Sequence, residues 1–563
     1  MAGGIGRGPA QEMGTLYRSR GWWRDETVLD DLRRAIQAHP DKLAIVAARY
    51  FAKDVTKLTY AELGRYTERF AGALLELGVG RGQLVAVQLP NWWQFTALAL
   101  ACARIGAVIA PIPPDYRRRE VEFILGRTEA SVYVGPASWT GHSHRDMARE
   151  LARALPTLKH RILIGLDTQT PREDGELDFD THFIQRHWED ERPKSVLDAL
   201  SARADDLCNV LYTSGTTGEP KGVIHSHNTN YGITRALSDT LGLGNDDVVS
   251  LPSLLTASSG FTYLYLMPVL LGATAVYMDV GDPELTLRLI EEQRVTFMYG
   301  IPTYIMNVIA AKRKHGRDTS SLRRLATGSI PVPPHLIAAV REDFGVQLHT
   351  LWGMTENGAV TITRREDPPE WPSSSDGRPV EWMEVKVVPA LAEDGTPYPE
   401  GTGRLLVRGA SQCLGYFKRE DIYSACVDAD GWFDTGDLAR DDGRGGIRIV
   451  GRLKDVIFRY GQKIPVVEVE SALYSHPKVK EVAVVGHSDD RIGGERVCAV
   501  VVPREDAPTL AELRNHLKGL GMSNQYWPDR LEVVAEMPKT PSGKIRKYLL
   551  RERLKELSAA KPS

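Results

Sequence analysis

Leu29, Leu32, Ala35 and Ile36 recur at helical spacing, and Pro40 ends the run. The residues before them carry no clear period and read as irregular. Leu43–Val46 reads as a short strand. Thr59 and Glu62 then form a capping box ahead of Leu63, Tyr66, Phe70, Leu74 and Leu77, with Gly78 where a C-terminal cap belongs. A strand is expected over Leu84–Leu89, a helix opened by Asp282 and Pro283, a strand over Val295–Tyr299, and a helix from Pro302 with Ile305, Val308 and Ile309 on one face. Such alternation predicts an α/β fold of mainly parallel sheets covered by helices on both faces.

The pattern changes twice. Pro368, Pro369, Pro372 and Ser373–Ser375 mark a loop, and Asp441-Asp442-Gly443-Arg444-Gly445-Gly446 marks a tight polar turn. Beyond Gly451 it becomes compact α+β: a helix near Val466–Tyr474, strands near Glu481–Val485 and Val497–Val502, and a helix near Leu510–Leu520. A boundary is therefore expected at Arg452–Lys454, dividing residues 1–452 from a small C-terminal domain, 453–563.

Composition removes several classes of function. Lys+Arg 70 against Asp+Glu 73 leaves a net charge of −3, which argues against a nucleic-acid surface. Leu251–Met278 holds no charged residue, yet Pro252, Gly260, Pro268 and Gly272 punctuate it, so buried helix and strand are expected there rather than a membrane span. Phe95–Ala110, interrupted by Arg104 and Gly106, also reads as core. Cys102, Cys208, Cys413, Cys426 and Cys498 are far apart with no CxxC, as free thiols in a reducing compartment would be. No signal peptide is visible at the N-terminus, and a cytoplasmic location is expected. The pairs His142/His144 and His225/His227 lack a third ligand and read as loop residues, not a zinc site.

The segment Thr213-Ser214-Gly215-Thr216-Thr217-Gly218-Glu219-Pro220-Lys221-Gly222 holds three glycines, four hydroxyl side chains and a lysine. Backbone amides, hydroxyls and an ammonium in a flexible loop suit a polyphosphate. It is not a Walker A loop, because Lys221 precedes Gly222 and GxxxxGK[ST] is not met. Taken alone, Trp352 reads better as a core aromatic, and Glu356, Asp437, Arg452 and Lys544 as solvated surface charges.

Their order along the chain changes that reading. Thr213–Gly222, Trp352-Gly353-Met354-Thr355-Glu356, Trp432-Phe433-Asp434-Thr435-Gly436-Asp437, Gly451-Arg452-Leu453-Lys454-Asp455 and Pro538-Lys539-Thr540-Pro541-Ser542-Gly543-Lys544 together resemble, in sequence order, the motifs of the adenylate-forming superfamily. The resemblance runs from about Trp22 to Leu554 and is strongest to medium-chain and cyclohexanecarboxylate-type acyl-CoA ligases. It implies a large domain of two parallel-sheet subdomains plus a distorted β-barrel, with a small lid. It also implies ATP and AMP binding by Thr213, Ser214, Gly215, Thr216, Thr217, Gly218, Lys221, Gly328, Ser329, Trp352, Asp437 and Arg452. Lys544, Thr355 and Glu356 would be catalytic, with Glu356 on Mg²⁺, whose preference is for hard oxygen ligands. Lys454 would be the hinge, and Tyr460 and Gly461 would flank the thiol tunnel.

For the acyl pocket the resemblance implies Ala257, Phe261 and Gly353. Leu251–Phe261 contains no acidic residue to pair a substrate amine, and a buried ammonium without a counter-charge is costly, so a carboxylic acid that is not an amino acid is expected. The partners implied are ATP, that acid, and CoA or a carrier-protein pantetheine; homodimerisation is left open. Two departures stand out: Ala257 replaces a histidine of the relatives, and Tyr460-Gly461-Gln462-Lys463 replaces Gly-Gly-Glu-Asn. The reading is an acid–thiol ligase making acyl-AMP and then acyl-CoA. Loading of a carrier protein and non-catalytic nucleotide binding are the alternatives.

If Ala257 recesses the pocket wall, Ala257→His shifts preference toward smaller acids by about 1–3 kcal/mol of discrimination. The ratio of kcat/KM across an acid series measures it, and an unchanged ranking would show that Ala257 does not line the pocket.

Overall fold

The computed structural model describes residues 11–167, 171–213, 220–329, 332–390, 401–453, 457–459, 462–464, 466–489, 494–522, 524–540 and 543–559. Local chemistry starts the helices where the pattern places them. Thr59 accepts from the backbone N–H of Glu62 while the Glu62 carboxylate takes the Thr59 N–H, opening the helix Tyr60–Glu76. Asp282 caps Pro283–Gln293, with proline at the first position, where its missing N–H costs nothing.

Two sheets form the large N-terminal domain. Among the described residues the first has nine strands, in the order Arg378–Pro379, Gly358–Ile362, Leu348–Met354, Arg324–Gly328, Phe297–Tyr299, Val248–Ser250, Thr274–Met278, Leu43–Arg49 and Asp54–Thr59. The run from Leu348–Met354 to Leu43–Arg49 is parallel, with antiparallel edges. The second has eight: Gly415–Tyr416, Lys221–Ser226, Leu207–Thr213, Val108–Pro111, Leu84–Val87, Val132–Pro136, His160–Ile164 and Glu176–Asp178. Its members from Leu207–Thr213 onward are parallel. Parallel strands need crossover helices on both faces, which is why these strands read as unbroken apolar runs.

Where a distorted barrel was expected, the described residues form a four-stranded antiparallel sheet: Met383–Pro389, Thr402–Gly409, Phe433–Asp441 and Ile447–Arg452. The small C-terminal domain has strands Val479–Asp489, Gly494–Pro503 and Arg530–Val533 beside helices Val466–Tyr474, Leu510–Gly519 and Lys547–Ala559. It touches the large domain where the His335 ring stacks on Tyr474, 6.0 Å between centroids.

Three segments depart from expectation. The irregular start is in part a helix, Gln11–Ser19, whose Tyr17 is buried against Trp22 and Trp23. Trp23 Nε1 donates to the Ala410 carbonyl at 2.8 Å, so distant packing orders a stretch too short to show its own period. Both histidine pairs read as loop residues lie in regular elements: His142 in the short strand His142–Ser143 and the buried His144 at the start of the helix His144–Ala154, and the buried His225 and His227 at the end of the strand Lys221–Ser226 and the start of the helix His227–Leu241. The uncharged stretch Leu251–Met278 is broken into a wide helical turn, Gly260–Leu266, a short helix, Met267–Leu271, and a strand. No helix among the described residues is long and apolar enough to cross a membrane.

Arg104 is 1% exposed. Its guanidinium bonds Glu68, Asp198 and Ser201, each at 2.7 Å, tying the helix Trp93–Arg104 to two neighbouring segments. Arg104→Ala strands both carboxylates beside a cavity. Since these can still reach water, the expected loss is about 2–3 kcal/mol, at or below the lower end for a broken buried pair. Thermal unfolding checks it, and an unchanged melting temperature would remove Arg104 from the supports of this layer.

Candidate functional site

The chemistry-bearing residues gather at the carboxyl ends of the parallel strands, where α/β sheets bind ligands. Thr213 ends Leu207–Thr213 and pairs across the hairpin with Lys221. Between them, Ser214, Gly215, Thr216, Thr217 and Gly218 lie outside the described residues. Gly328 ends Arg324–Gly328, and Ser329 follows at φ +74°, a left-handed conformation uncommon for a residue with a Cβ. Tyr299, buried on the neighbouring parallel strand, lies close to it.

Trp352, Gly353, Thr355 and Glu356 lie where Leu348–Met354 turns back into Gly358–Ile362. Gly353 is required by close approach: a Cβ there would sit 2.0 Å from the Gly358 carbonyl oxygen. Trp352 is buried, and its Nε1 donates to Asp437 Oδ2 at 3.0 Å. Asp437 and Arg452 are register partners on adjacent antiparallel strands, with Arg452 Nε 3.2 Å from Asp437 Oδ1. One buried carboxylate thus joins the nine-stranded and four-stranded sheets.

Glu356 is buried, accepts the Tyr416 O–H at 2.7 Å on Oε1, and its backbone carbonyl accepts from the Cys413 N–H at 2.7 Å. Burial, and then the neighbouring Glu356 carboxylate, push the Tyr416 phenol far up, so it stays a donor. Lys221 Nζ lies 4.9 Å over the Tyr416 ring. The described residues hold no group of three or more His, Cys, Asp or Glu able to cage a metal. A buried carboxylate with one oxygen already bonded fits Mg²⁺ held mainly by phosphate oxygens and water, the usual arrangement for that ion. Glu356 is the residue that could hold such an ion.

Lys544 reaches this crevice from the small domain. Its loop closes on itself through Thr540 N–H to the Lys544 carbonyl, 2.8 Å, and Lys544 N–H to Thr540 Oγ1, 3.1 Å. It comes so near the large domain that a Cβ on Gly543 would sit 3.2 Å from Ile301 Cδ1. Lys544 is exposed, and the surrounding protein takes away part of its hydration. That enclosure, and then Arg452, lower its pKa, while Asp437 and Glu356 act in the opposite direction.

Ala257 and Phe261, expected to line the acyl pocket, lie in the segment that follows the strand Val248–Ser250. Ala257 is half-buried, and its carbonyl accepts from the Phe261 N–H at 2.8 Å. Phe261 is fully buried, edge-on to Phe95 and Tyr265. Lys454, Tyr460 and Gly461 lie outside the described residues. Sequence reasoning missed Tyr416, His225 and Asn91. The Asn91 amide donates to Ser253 O at 2.9 Å and accepts from Leu255 N–H at 2.7 Å, clamping the pocket segment. Each acts through bonds at least 60 positions away, which no local pattern signals.

Residues 32–417 match the AMP-binding enzyme family, and residues 468–544 match the AMP-binding enzyme C-terminal domain. The chain belongs to the AMP-binding enzyme family. It is an adenylate-forming acid ligase, of a family that binds ATP, an acid and a CoA or carrier thiol. It is similar to the medium-chain fatty-acid–CoA ligase of Escherichia coli (strain K12), 32% identical over 541 residues, 95% of this chain and 92% of that one. It is also similar to the 2,3-dihydroxybenzoate-AMP ligase of Bacillus subtilis (strain 168), 31% identical over 553 residues and 97% of each chain. Among solved structures, the anthranilate CoA ligase AuaEII in complex with anthranoyl-AMP superposes with a TM-score of 0.82 at 26% identity, over 95% of this chain and 98% of that one.

Trp352→Phe keeps an aromatic ring but removes the N–H that holds Asp437. The expected result is a rise of about tenfold in KM for ATP with kcat little changed, the loss typical of a hydrogen bond to a charged acceptor. Pyrophosphate exchange measures both, and an unchanged KM would show that the bond does not orient Asp437 for the nucleotide.

Proposed function

We propose that the protein is an ATP- and Mg²⁺-dependent acid–thiol ligase that makes acyl-AMP and then acyl-CoA from a medium-chain, alicyclic or related acid without an amine. The carrying observation is that the loop of Lys544 packs against the large domain at Ile301, within reach of the charges of Arg452, Asp437 and Glu356. In the first half-reaction a carboxylate oxygen attacks the α-phosphorus of ATP; the acyl–O–P bond forms, the bond to the β-phosphate breaks, and pyrophosphate leaves. Asp437 would accept from the ribose hydroxyls, Arg452 would orient the nucleotide, and Trp352 would stack on adenine. Lys221, Thr355 and the loop from Thr213 to Gly218 would hold phosphate oxygens. Lys544 would span the acid carboxylate and an α-phosphate oxygen, so that positioning and preorganised charge supply most of the acceleration. Mg²⁺ on Glu356 would neutralise charge on the phosphates.

In the second half-reaction the CoA sulfur attacks the acyl carbonyl and AMP leaves. Residues 453–563 would act as a lid turning about Lys454, which carries Lys544 away once acyl-AMP has formed. The medium-chain relative and the absence of an acidic residue in Leu251–Phe261 support the substrate class. A second reading, transfer to a carrier-protein pantetheine, is favoured by the 2,3-dihydroxybenzoate-AMP ligase relative and by Tyr460-Gly461-Gln462-Lys463. Thioester yield with free CoA against a carrier protein separates the two, after a pyrophosphate-release screen over short, medium, alicyclic and aromatic acids.

Lys544→Ala loses at least about 10²–10³ in acyl-AMP formation yet still converts supplied acyl-AMP and thiol to thioester. The ammonium is the active form and its pKa is lowered, so adenylation falls on the alkaline side at a lower pH than free lysine would set. The two half-reactions measured separately, each against pH, test this. Wild-type adenylation in the variant, or equal damage to both steps, overturns the role.

A further inference from the structure

The segment His225-Ser226-His227 has no place in the reading above, yet His225 touches it directly. His225 is 1% exposed. Its Nε2 lies 2.8 Å from the backbone carbonyl oxygen of Thr355, 130 positions away, and its Nδ1 lies 3.1 Å from Thr229 Oγ1. A carbonyl only accepts, so Nε2 carries the proton and Nδ1 faces the Thr229 hydroxyl as acceptor. Burial pushes the imidazole down to about 4, which keeps it neutral near pH 7.

The bond spans two parts of the crevice. His225 stands on the strand Lys221–Ser226, whose first residue is Lys221 opposite Thr213. Thr355 precedes Glu356, whose own carbonyl is held by Cys413 N–H at 2.7 Å. Two successive carbonyls of the turn are therefore pinned, one by a backbone amide and one by an imidazole. Buried carbonyls without a partner are rare, and no other donor to the Thr355 oxygen is recorded among the described residues.

We infer that His225 is a positioning residue for adenylation: its Nε2–H fixes the Thr355 carbonyl, and so sets the Thr355–Glu356 turn against the strand that carries Lys221. This rests on the adenylation reading and adds to it a residue that touches neither nucleotide nor acid. Adenine and ribose would be held by Trp352, within the strand before the turn, and by Asp437 on another sheet, so the effect of His225 falls on the phosphate end of the ligand.

Glutamine places its amide nitrogen where Nε2 lies, whereas asparagine reaches only the Nδ1 position. The test is equilibrium binding of α,β-methylene-ATP with Mg²⁺, and of adenosine, to the full chain and to His225→Gln, His225→Asn and His225→Leu. Asn and Leu are expected to weaken the triphosphate analogue about tenfold. Gln stays within about threefold of wild type, and adenosine binds all four proteins alike. Leu keeps most of the volume, so it still decides the matter if Asn fails to fold. Equal weakening by Gln and Leu, unchanged triphosphate binding in Leu, or loss of adenosine binding with it overturns the inference alone. Failure of the wild type to bind either nucleotide probe overturns the adenylation reading beneath it.

Discussion

The carboxylate of Asp437 is where the architecture meets. It is buried, and a buried carboxylate must be compensated. It receives an indole N–H from Trp352 on one oxygen and faces the Arg452 guanidinium on the other. Trp352 comes from the end of a parallel strand in the nine-stranded sheet, and Arg452 from the last strand of the antiparallel sheet. Satisfying this one charge ties the two sheets together and leaves the carboxylate at the mouth of the crevice. Lys544 then approaches a wall whose charges are already arranged, as preorganised electrostatics requires.

A similar economy governs the turn that carries Thr355 and Glu356. Its backbone cannot be held by sheet pairing alone, because it reverses direction between Leu348–Met354 and Gly358–Ile362. Gly353 permits the close passage of the two strands, His225 and Cys413 take the carbonyls that strand pairing leaves over, and Tyr416 orients the Glu356 carboxylate. Each partner comes from the eight-stranded sheet or the segment leading to it. The turn that carries Thr355 and Glu356 on one sheet is thus held by residues of the other.

Much of this was legible in the sequence where the signal is local. Capping boxes act over three residues, helical faces repeat over four, and proline and glycine mark ends. Thr59 with Glu62, Asp282 with Pro283, and the helix from Pro302 accordingly stand where the pattern put them. The order of the motifs was legible too, since it is a property of the chain. The helix Gln11–Ser19 was not, because it is short and held by packing of Tyr17 and Trp23. The buried positions of His225 and His227 were not, because imidazole spacing says nothing of what surrounds the ring.

The sequence by itself determined the α/β alternation, the starts of the helices at Tyr60, Pro283 and Pro302, and which residue types could serve a phosphate, a diol and a divalent cation. Only the tertiary structure decided which of them meet. Trp352 and Asp437 are 85 positions apart, Tyr416 and Glu356 are 60, and His225 and Thr355 are 130. Contacts at such separations are set by strand order and by how the sheets cross, and those follow from burying whole apolar faces together. A hydrogen bond of about 1 kcal/mol is too weak to choose a topology, but once burial has chosen it, the bond decides which carboxylate and which carbonyl face the crevice.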